Sequence, residues 1–234
     1  MNILQKGFNY SQDGPGNRLV YHLQGCNFRC KWCSNPESIP MINDKANSVE
    51  TKEVIKEIIS CKPMFFEGGG VTFTGGECTL QHDELFEVLK ACHKEGIHTC
   101  IETNGSDRKL MELLPYIDYL IMDLKQPNEI EHEKWTGIKN TITKENIAKV
   151  LDSNRQLLLR IPLIKHVNVC PEEYIDFFKQ HSMLNAKIEI LPYHEYGKDK
   201  WTMEYQMKDA FVSSDDITKM EAAFKNEGYN IINT

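Results

Sequence analysis

A parallel α/β fold is predicted by three features of this 234-residue sequence. Apolar, β-branched runs alternate with amphipathic helical segments along the chain, the pattern of strands joined by crossover helices. Hydrophobic residues make up 41% and charged residues 26%, which allows a sizeable core and sets the chain apart from disordered ones. Polar or glycine-rich clusters fall at the ends of the predicted strands, where the loops of a parallel sheet converge on one face. The sequence shows no internal repeat, low-complexity tract or long linker, so a single domain over residues 1–234 is expected.

The elements follow in order. The first strand is expected at 19–24. A helix carries the stripe Val54, Ile55, Ile58 and Ile59 after a candidate N-cap at Thr51. The second strand covers 71–74, and the helix after it presents Leu85, Val88, Leu89 and Cys92, with Gly96 placed to end it. Strands at 98–102 and 119–123 precede a helix opened by Thr143, with Ile147, Val150 and Leu151 on one face. A fifth strand spans about 156–163. Pro171 suits the first turn of a helix bearing Tyr174, Ile175 and Phe178, and a sixth strand covers 187–191. Ser213 or Ser214 caps a last helix with Ile217, Met220 and Phe224, running up to Gly228. Six strands with crossovers suit an open sheet or part of a barrel. The clusters that follow them are 25–37, 75–77, 102–105, 123–125, Arg160 and 192–197, the layout of an enzyme.

Charge and hydropathy narrow the class. Lys and Arg total 27 against 34 Asp and Glu, a formal charge of −7, which argues against a nucleic-acid binder held by a broad basic face. No apolar run approaches the ~20 residues of a membrane span, and the mean hydropathy is −0.46. The first ten residues lack the apolar core of a signal peptide. A cytoplasmic protein with neither membrane nor nucleic-acid partner is expected. Its eight cysteines then belong to a reducing compartment, where disulfides are disfavoured.

Three of those cysteines crowd into the loop after the first strand: Cys26-Asn27-Phe28-Arg29-Cys30-Lys31-Trp32-Cys33, a C-x3-C-x2-C spacing. A structural zinc site wants a fourth soft ligand nearby, usually in a second paired knuckle, and no second C-x2-C exists. Three thiolates on an iron–sulfur cube with one iron left open fit the odd count better. Cys61, Cys78, Cys92, Cys100 and Cys170 read as small core or semi-exposed residues.

The loop, with Trp32 just before its third cysteine, resembles the signature of the radical S-adenosylmethionine enzymes. Five further stretches are similar to the glycyl-radical-enzyme activating enzymes of that superfamily: Asp13-Gly14-Pro15-Gly16-Asn17-Arg18; Gly68-Gly69-Gly70-Val71-Thr72-Phe73-Thr74-Gly75-Gly76-Glu77; Glu102-Thr103-Asn104-Gly105; Asp123-Leu124-Lys125; and Leu191-Pro192-Tyr193-His194-Glu195. The likeness runs from about Gly7 to Trp201. It implies a partial (β/α)6 TIM-like barrel of parallel strands and one 4Fe–4S cluster on Cys26, Cys30 and Cys33. It also implies that S-adenosylmethionine is cleaved reductively to a 5′-deoxyadenosyl radical, which takes the α-hydrogen of a glycine in a partner glycyl radical enzyme. A flavodoxin or ferredoxin is the implied electron donor. Many relatives carry a ferredoxin insert after the cysteine loop. Here the stretch 34–74 holds one cysteine, Cys61, so a single domain without that insert is expected.

The other clusters acquire roles from the same resemblance. Gly75, Gly76 and Glu77 form a tight strand end whose backbone meets the methionyl amine; read alone, the glycine pair also marks an ordinary turn. Asp123 and Lys125 alternate around Leu124, so both project to one side; the resemblance takes this stretch to the ribose and carboxylate of the cofactor. Arg160 interrupts an apolar strand and needs an anionic partner, either the cofactor carboxylate or an internal acid. His194 is implied at the adenosine, and Trp32 and Ser34 at the adenine. Glu102 stands where the family motif begins with Asp; with Asp123 it is implied to hold a monovalent cation. Asp13 and Gly14 make a rigid turn that the resemblance gives to seating the partner's glycine-bearing loop. Two alternatives remain: a radical S-adenosylmethionine enzyme acting on another substrate, including anaerobic ribonucleotide reductase activation, and an electron-transfer subunit. The length and the 191–201 segment favour the lyase-activating branch.

Overall fold

The computed structural model describes residues 1–233, and the chain gathers into two compact units. The first comprises Met1–Asn27, Glu37–Thr103 and Asp107–Ile121. It contains β1 (Asn2–Tyr10), β2 (Asn17–Leu23), β3 (Asn47–Ser48), α1 (Thr51–Ser60), β4 (Gly70–Gly75), α2 (His82–Lys94), β5 (His98–Thr103), α3 (Leu110–Leu113) and the opening of β6 (Tyr119–Asp123). Its strand order is β3-β1-β2-β4-β5. The pairs β2–β4 and β4–β5 are parallel, as expected, whereas β1 runs antiparallel to β2 and to β3. Strand β1 was not expected from the sequence: after Ile3 its side chains are largely exposed, so no apolar alternation announces it.

Strand alternation sorts the side chains of this unit. Tyr21 stacks on Phe73 with ring centroids 5.4 Å apart, and its hydroxyl donates to Glu57 of α1 at 2.7 Å. That face of β2 and β4 is therefore the one α1 covers. Helices α1 and α2 bury Val54 and Ile58, and Leu85, Val88, Leu89 and Cys92, respectively. Helix α1 begins at Thr51 itself, with Glu50 as N-cap in an extended conformation, so Thr51 is the first helical residue rather than the cap. Arg18 is fully buried at the start of β2. It donates to Thr72 Oγ1 at 2.6 Å, to the Val71 carbonyl at 2.7 Å and to the Pro15 carbonyl at 2.9 Å. Burial lowers its pKa, and Cys100, Asp118 and Asp13 pull the other way.

The second unit comprises Phe28–Pro36, Asn104–Ser106 and the chain from Met122 onward. After the end of β6 come α4 (Glu129–Thr136), α5 (Thr141–Asp152), β7 (Leu157–Leu163), α6 (Pro171–Phe178), β8 (Ala186–Pro192), α7 (Ser214–Asn226) and β9 (Asn230–Ile232). Strands β7, β8 and β9 pair in that order, all parallel. Phe178 packs edge-on against Phe224 at 6.0 Å and Tyr229 at 5.6 Å, joining α6, α7 and the lead into β9. Ser213 caps α7 in a reciprocal capping box with Asp216, and Pro171 occupies the first turn of α6. Helix α5 starts at Thr141 rather than Thr143. The Thr143 hydroxyl is buried and donates to the Asn104 carbonyl at 2.9 Å, which takes it out of any capping role. Helix α4 has almost no apolar stripe; Asn128 starts it by accepting from the N–H groups of Ile130 and Glu131. Among the described residues, no helix is long and apolar enough to cross a membrane.

Candidate active site

In the first unit, the glycine-rich strand end is packed onto the lead-in to the cysteine loop. Gly76 N–H donates to the Leu23 carbonyl at 2.9 Å and Glu77 N–H to the Gly25 carbonyl at 2.8 Å. A Cβ on Gly76 would stand 2.2 Å from the Gly25 oxygen, so no larger residue permits this approach. Gly25 N–H and Cys26 N–H in turn donate to Ser38 and Ile39 carbonyls at 2.8 and 3.1 Å, which closes the loop's first-unit ends on each other. The Glu77 side chain is 1% exposed. Its Oε1 accepts from Thr79 N–H at 3.1 Å, the Thr79 hydroxyl at 2.7 Å and the Thr103 hydroxyl at 2.6 Å. This carboxylate therefore caps the turn after β4 and ties it to the end of β5. Glu102 accepts from the Thr74 hydroxyl at 2.9 Å. Asp13 accepts from the Asn9 amide, and its carbonyl accepts from Thr72 Oγ1 at 2.7 Å; Gly14 lies against Arg18.

In the second unit, the later part of the cysteine loop rests on α4. Arg29 N–H donates to the Thr136 carbonyl at 2.7 Å and Lys31 N–H to the Trp135 carbonyl at 3.2 Å, while Lys31 Nζ lies 4.9 Å over the Trp135 ring. Phe28 packs edge-on against the buried His132 of α4 at 5.3 Å. His132 Nδ1 bonds the Ile138 carbonyl at 2.6 Å. Burial lowers the His132 pKa to about 4, against the opposing effect of that bond, so the ring is neutral. Cys33 N–H donates to the Cys30 carbonyl at 3.1 Å, a turn that presents two of the cysteines together.

Asp123 and Lys125 pair at 2.6 Å around a fully buried Leu124, as the alternation predicts. Burial opposes the charge on Lys125, but Asp123 and the Cys30 and Cys33 thiols outweigh it and hold its pKa above the usual lysine value. Leu124 N–H donates to the Arg160 carbonyl at 2.9 Å, which sets the end of β6 beside β7. Arg160 lies in the middle of β7 rather than beyond its end, and its anionic partner is internal: Nε bonds Glu189 Oε2 on β8 at 2.6 Å, directly across the strand register. His194 stacks on Tyr196 with centroids 4.2 Å apart, and burial lowers its pKa. Ser34 is in contact with Gly197, and Trp32 is buried.

A Radical SAM superfamily model matches residues 20–178, a span that includes the cysteine loop and defines the class. The chain is 36% identical over 197 residues to the pyruvate formate-lyase 1-activating enzyme of Escherichia coli K12, covering 81% of this chain and 79% of that protein. A solved domain of the pyruvate-formate lyase-activating enzyme from Bacteroides vulgatus superposes with a TM-score of 0.58 at 25% identity, covering 70% of this chain and 98% of that one. A radical SAM methyltransferase from Sphaerobacter thermophilus shares the fold over 96% of this chain and 67% of its own, with a TM-score of 0.67 at 15% identity. The chain belongs to the radical S-adenosylmethionine superfamily and, within it, to the pyruvate formate-lyase-activating enzymes. The expected α/β class is the one these structures share. Membership brings S-adenosylmethionine and a 4Fe–4S cluster as cofactors and a glycyl radical enzyme as protein substrate.

The residues present suit such a cluster. All eight cysteines are free thiols; Cys26 and Cys30 are buried and Cys33 half-buried. Lys125, which is nearly buried, has Cys30 and Cys33 among the groups that raise its pKa. Among the described residues, no three His, Cys, Asp or Glu side chains form a group able to hold one metal ion. A cube makes a different demand, since each thiolate takes its own iron. Sequence reasoning missed what grips the loop, namely α4 on one side and residues 197–201 on the other. The one available signal was the resemblance of the 191–201 segment, from which only His194 received a role.

Proposed function

We propose that this enzyme generates a glycyl radical in a partner lyase, with Cys26, Cys30 and Cys33 holding one 4Fe–4S cluster in a single domain without a ferredoxin insert. When bound, the reduced cluster and S-adenosylmethionine supply a 5′-deoxyadenosyl radical that takes the α-hydrogen of one glycine in the partner. The chain's own groups bind, orient and shield. An ammonium needs acceptors, and carbonyls are what the Gly75-Gly76-Glu77 turn offers once its N–H groups bond Leu23 and Gly25. Asp123 and Lys125 take the ribose and carboxylate, with Leu124 anchoring the strand end beneath them. Trp32, Ser34 and His194 border the adenosine, and the neutral His194 accepts a hydrogen bond there without adding charge. Arg160, whose charge is balanced by Glu189, lines the cofactor side through guanidinium N–H groups other than the Nε–H that bonds that carboxylate. Glu102 with Asp123 carries the negative charge for a monovalent cation, and Asp13 and Gly14 help to seat the partner's loop. A flavodoxin or ferredoxin supplies the electron in the cytoplasm.

The observation that carries this reading is the nearly buried Lys125 ammonium, paired with Asp123 at a strand end, with Cys30 and Cys33 among the groups that raise its pKa. It links an expected cofactor-binding strand end to the cysteine loop within one unit. The test is anaerobic reconstitution with iron and sulfide, then reduction with S-adenosylmethionine and a candidate partner lyase, followed by electron paramagnetic resonance. A doublet split by one α-hydrogen, dependent on every component and abolished by Ser at position 26, 30 or 33, is expected. Ser at position 61 or 170 leaves it intact. Absence of 5′-deoxyadenosine from the complete reaction would sink the reading; its formation with a ribonucleotide reductase as the only radical-bearing partner would transfer the activity to that class.

A further inference from the structure

The segment after β8 lies along the stretch that begins at the third cysteine. Trp201 Nε1 donates to the Cys33 carbonyl at 3.1 Å, and Lys200 Nζ donates to Asn35 Oδ1 at 2.9 Å. Between them, Gly197 approaches Ser34 so closely that a Cβ would stand 2.3 Å from its carbonyl oxygen and 2.5 Å from its Cα. Cys33, Ser34 and Asn35 are thus each met by one residue of 197–201. Gly197 has φ −95° and ψ −1°, a conformation open to any L-residue, so glycine is required here for space and not for backbone freedom. Residues Lys198–Lys200 form a single tight turn that brings the indole round to the cysteine carbonyl. The indole packs edge-on against Tyr205 at 5.6 Å, and the Tyr205 hydroxyl bonds that of Tyr193 at 2.8 Å, which ties the segment back to the end of β8.

We infer that Gly197, Lys200 and Trp201 form a strap that positions Cys33 for cluster binding, with Trp201 as its principal positioning residue. The inference rests on the proposed role of Cys33 as a cluster ligand. Trp201 acts through the Cys33 carbonyl and fixes where the side chain starts. The need for it follows from how the loop is held. The α4 bonds reach Arg29 and Lys31, on either side of Cys30, and the Cys33 N–H is turned back onto Cys30. Those bonds secure the second cysteine. Beyond the Cys33 N–H, the strap bonds the Cys33 carbonyl and the Asn35 side chain and leaves no room beside Ser34. Losing it removes the contacts to Cys33, Ser34 and Asn35 while the α4 bonds beside the second ligand stay, and a cube held by only three thiolates is sensitive to the displacement of any one.

The test uses the full-length protein in two states. Purified without iron, it is treated with iodoacetamide, and alkylation of each cysteine is followed by peptide mass spectrometry in wild type, Trp201→Phe and Gly197→Ala. After anaerobic reconstitution, the rate at which a chelator strips iron is measured in the same three proteins. Trp201→Phe keeps an aromatic ring and loses the N–H; about a fivefold faster alkylation of Cys33 is expected, the ratio that matches about 1 kcal/mol for one hydrogen bond. Gly197→Ala moves Cys33 the same way, Cys61 keeps its rate, and the buried Cys78 and Cys92 stay protected. Iron release accelerates by a similar factor. An unchanged Cys33 rate in both variants overturns the strap, as does a rise shared with Cys78 and Cys92, which signals general loosening. Faster Cys33 alkylation with unchanged iron release overturns its role in holding the cluster. A wild type that takes up no iron overturns the cluster reading instead, and the alkylation pattern then still decides whether the strap exists.

Discussion

Replacing Glu77 separates two roles for the residue that ends the glycine-rich motif. Its carboxylate is 1% exposed, and one oxygen, Oε1, accepts from Thr79 N–H and from the hydroxyls of Thr79 and Thr103. Hydrogen bonds to a charged acceptor contribute roughly 1.5–3 kcal/mol each, and a buried donor left without a partner costs its full desolvation. The two hydroxyls can rotate toward other acceptors, whereas the Thr79 amide has nowhere to turn. Glu77→Ala is therefore expected to cost about 3–5 kcal/mol, in the range of the most disruptive single substitutions. Glu77→Gln keeps an oxygen at the same distance and gives up its charge, for about 1–2 kcal/mol. Urea unfolding followed by circular dichroism measures both. The second readout is S-adenosylmethionine affinity of the reconstituted Gln variant, expected to stay within about twofold of wild type if, as proposed, the motif meets the cofactor through its backbone. A Gln variant as stable as wild type that binds the cofactor tenfold more weakly, about 1.4 kcal/mol, would refute this argument and make the carboxylate itself a ligand contact.

Two further outcomes follow from the second unit. His132 has its pKa lowered to about 4, so the fold favours the neutral ring and the unfolded chain binds the extra proton first. Stability is full above about pH 6.5 and falls as pH drops toward 4, by about 3 kcal/mol at most; thermal melts across that window should show a shallower acid decline in His132→Asn, and equal slopes would exclude His132 as the cause. The Arg160–Glu189 pair is nearly buried, with side-chain exposures of 12% and 3%. Removing one member leaves a buried charge and costs about 3–5 kcal/mol, so Glu189→Leu should unfold at markedly lower urea and Arg160→Met with Glu189→Leu should recover most of the loss; a double variant no more stable than the single one would deny that the pair is the relevant coupling.

What the sequence made legible was decided by periodicity and by burial. The parallel strands β2, β4, β5, β7 and β8 were readable because their runs are apolar and bounded by turn residues, as in Leu157–Leu163. Helices α1, α2 and α6 were readable because each buries one stripe. Elements without such a face stayed hidden. β1 pairs through its backbone with β2 and β3 while exposing Gln5 to Phe8, and α4 carries almost no apolar stripe. The start of α5 was misplaced for a related reason: Thr143 has the chemistry of a cap, yet its hydroxyl is taken by Asn104, a partner 39 residues earlier.

The candidate site divides along the same line. Spacing alone exposes the three cysteines, and alternation alone puts Asp123 and Lys125 on one side of Leu124, since both patterns are local. Whether Arg160 answers the cofactor or an internal acid depends on which strand lies beside β7, and strand order is not written in either strand. Glu189 was therefore out of reach until β8 was placed. The hold on Cys33 is more distant still: the Trp201 indole and the Cys33 carbonyl are separated by 168 positions in the chain. Local pattern names the groups that carry the chemistry, because thiols, carboxylates and ammonium groups are distinctive. The groups that position them are an indole N–H, a lysine on an amide and a glycine chosen for space, residues whose ordinary uses are many. Their role is defined only by what stands opposite, and so a positioning strap is recognised from the assembled unit, where each of its three contacts falls on a consecutive residue of the loop.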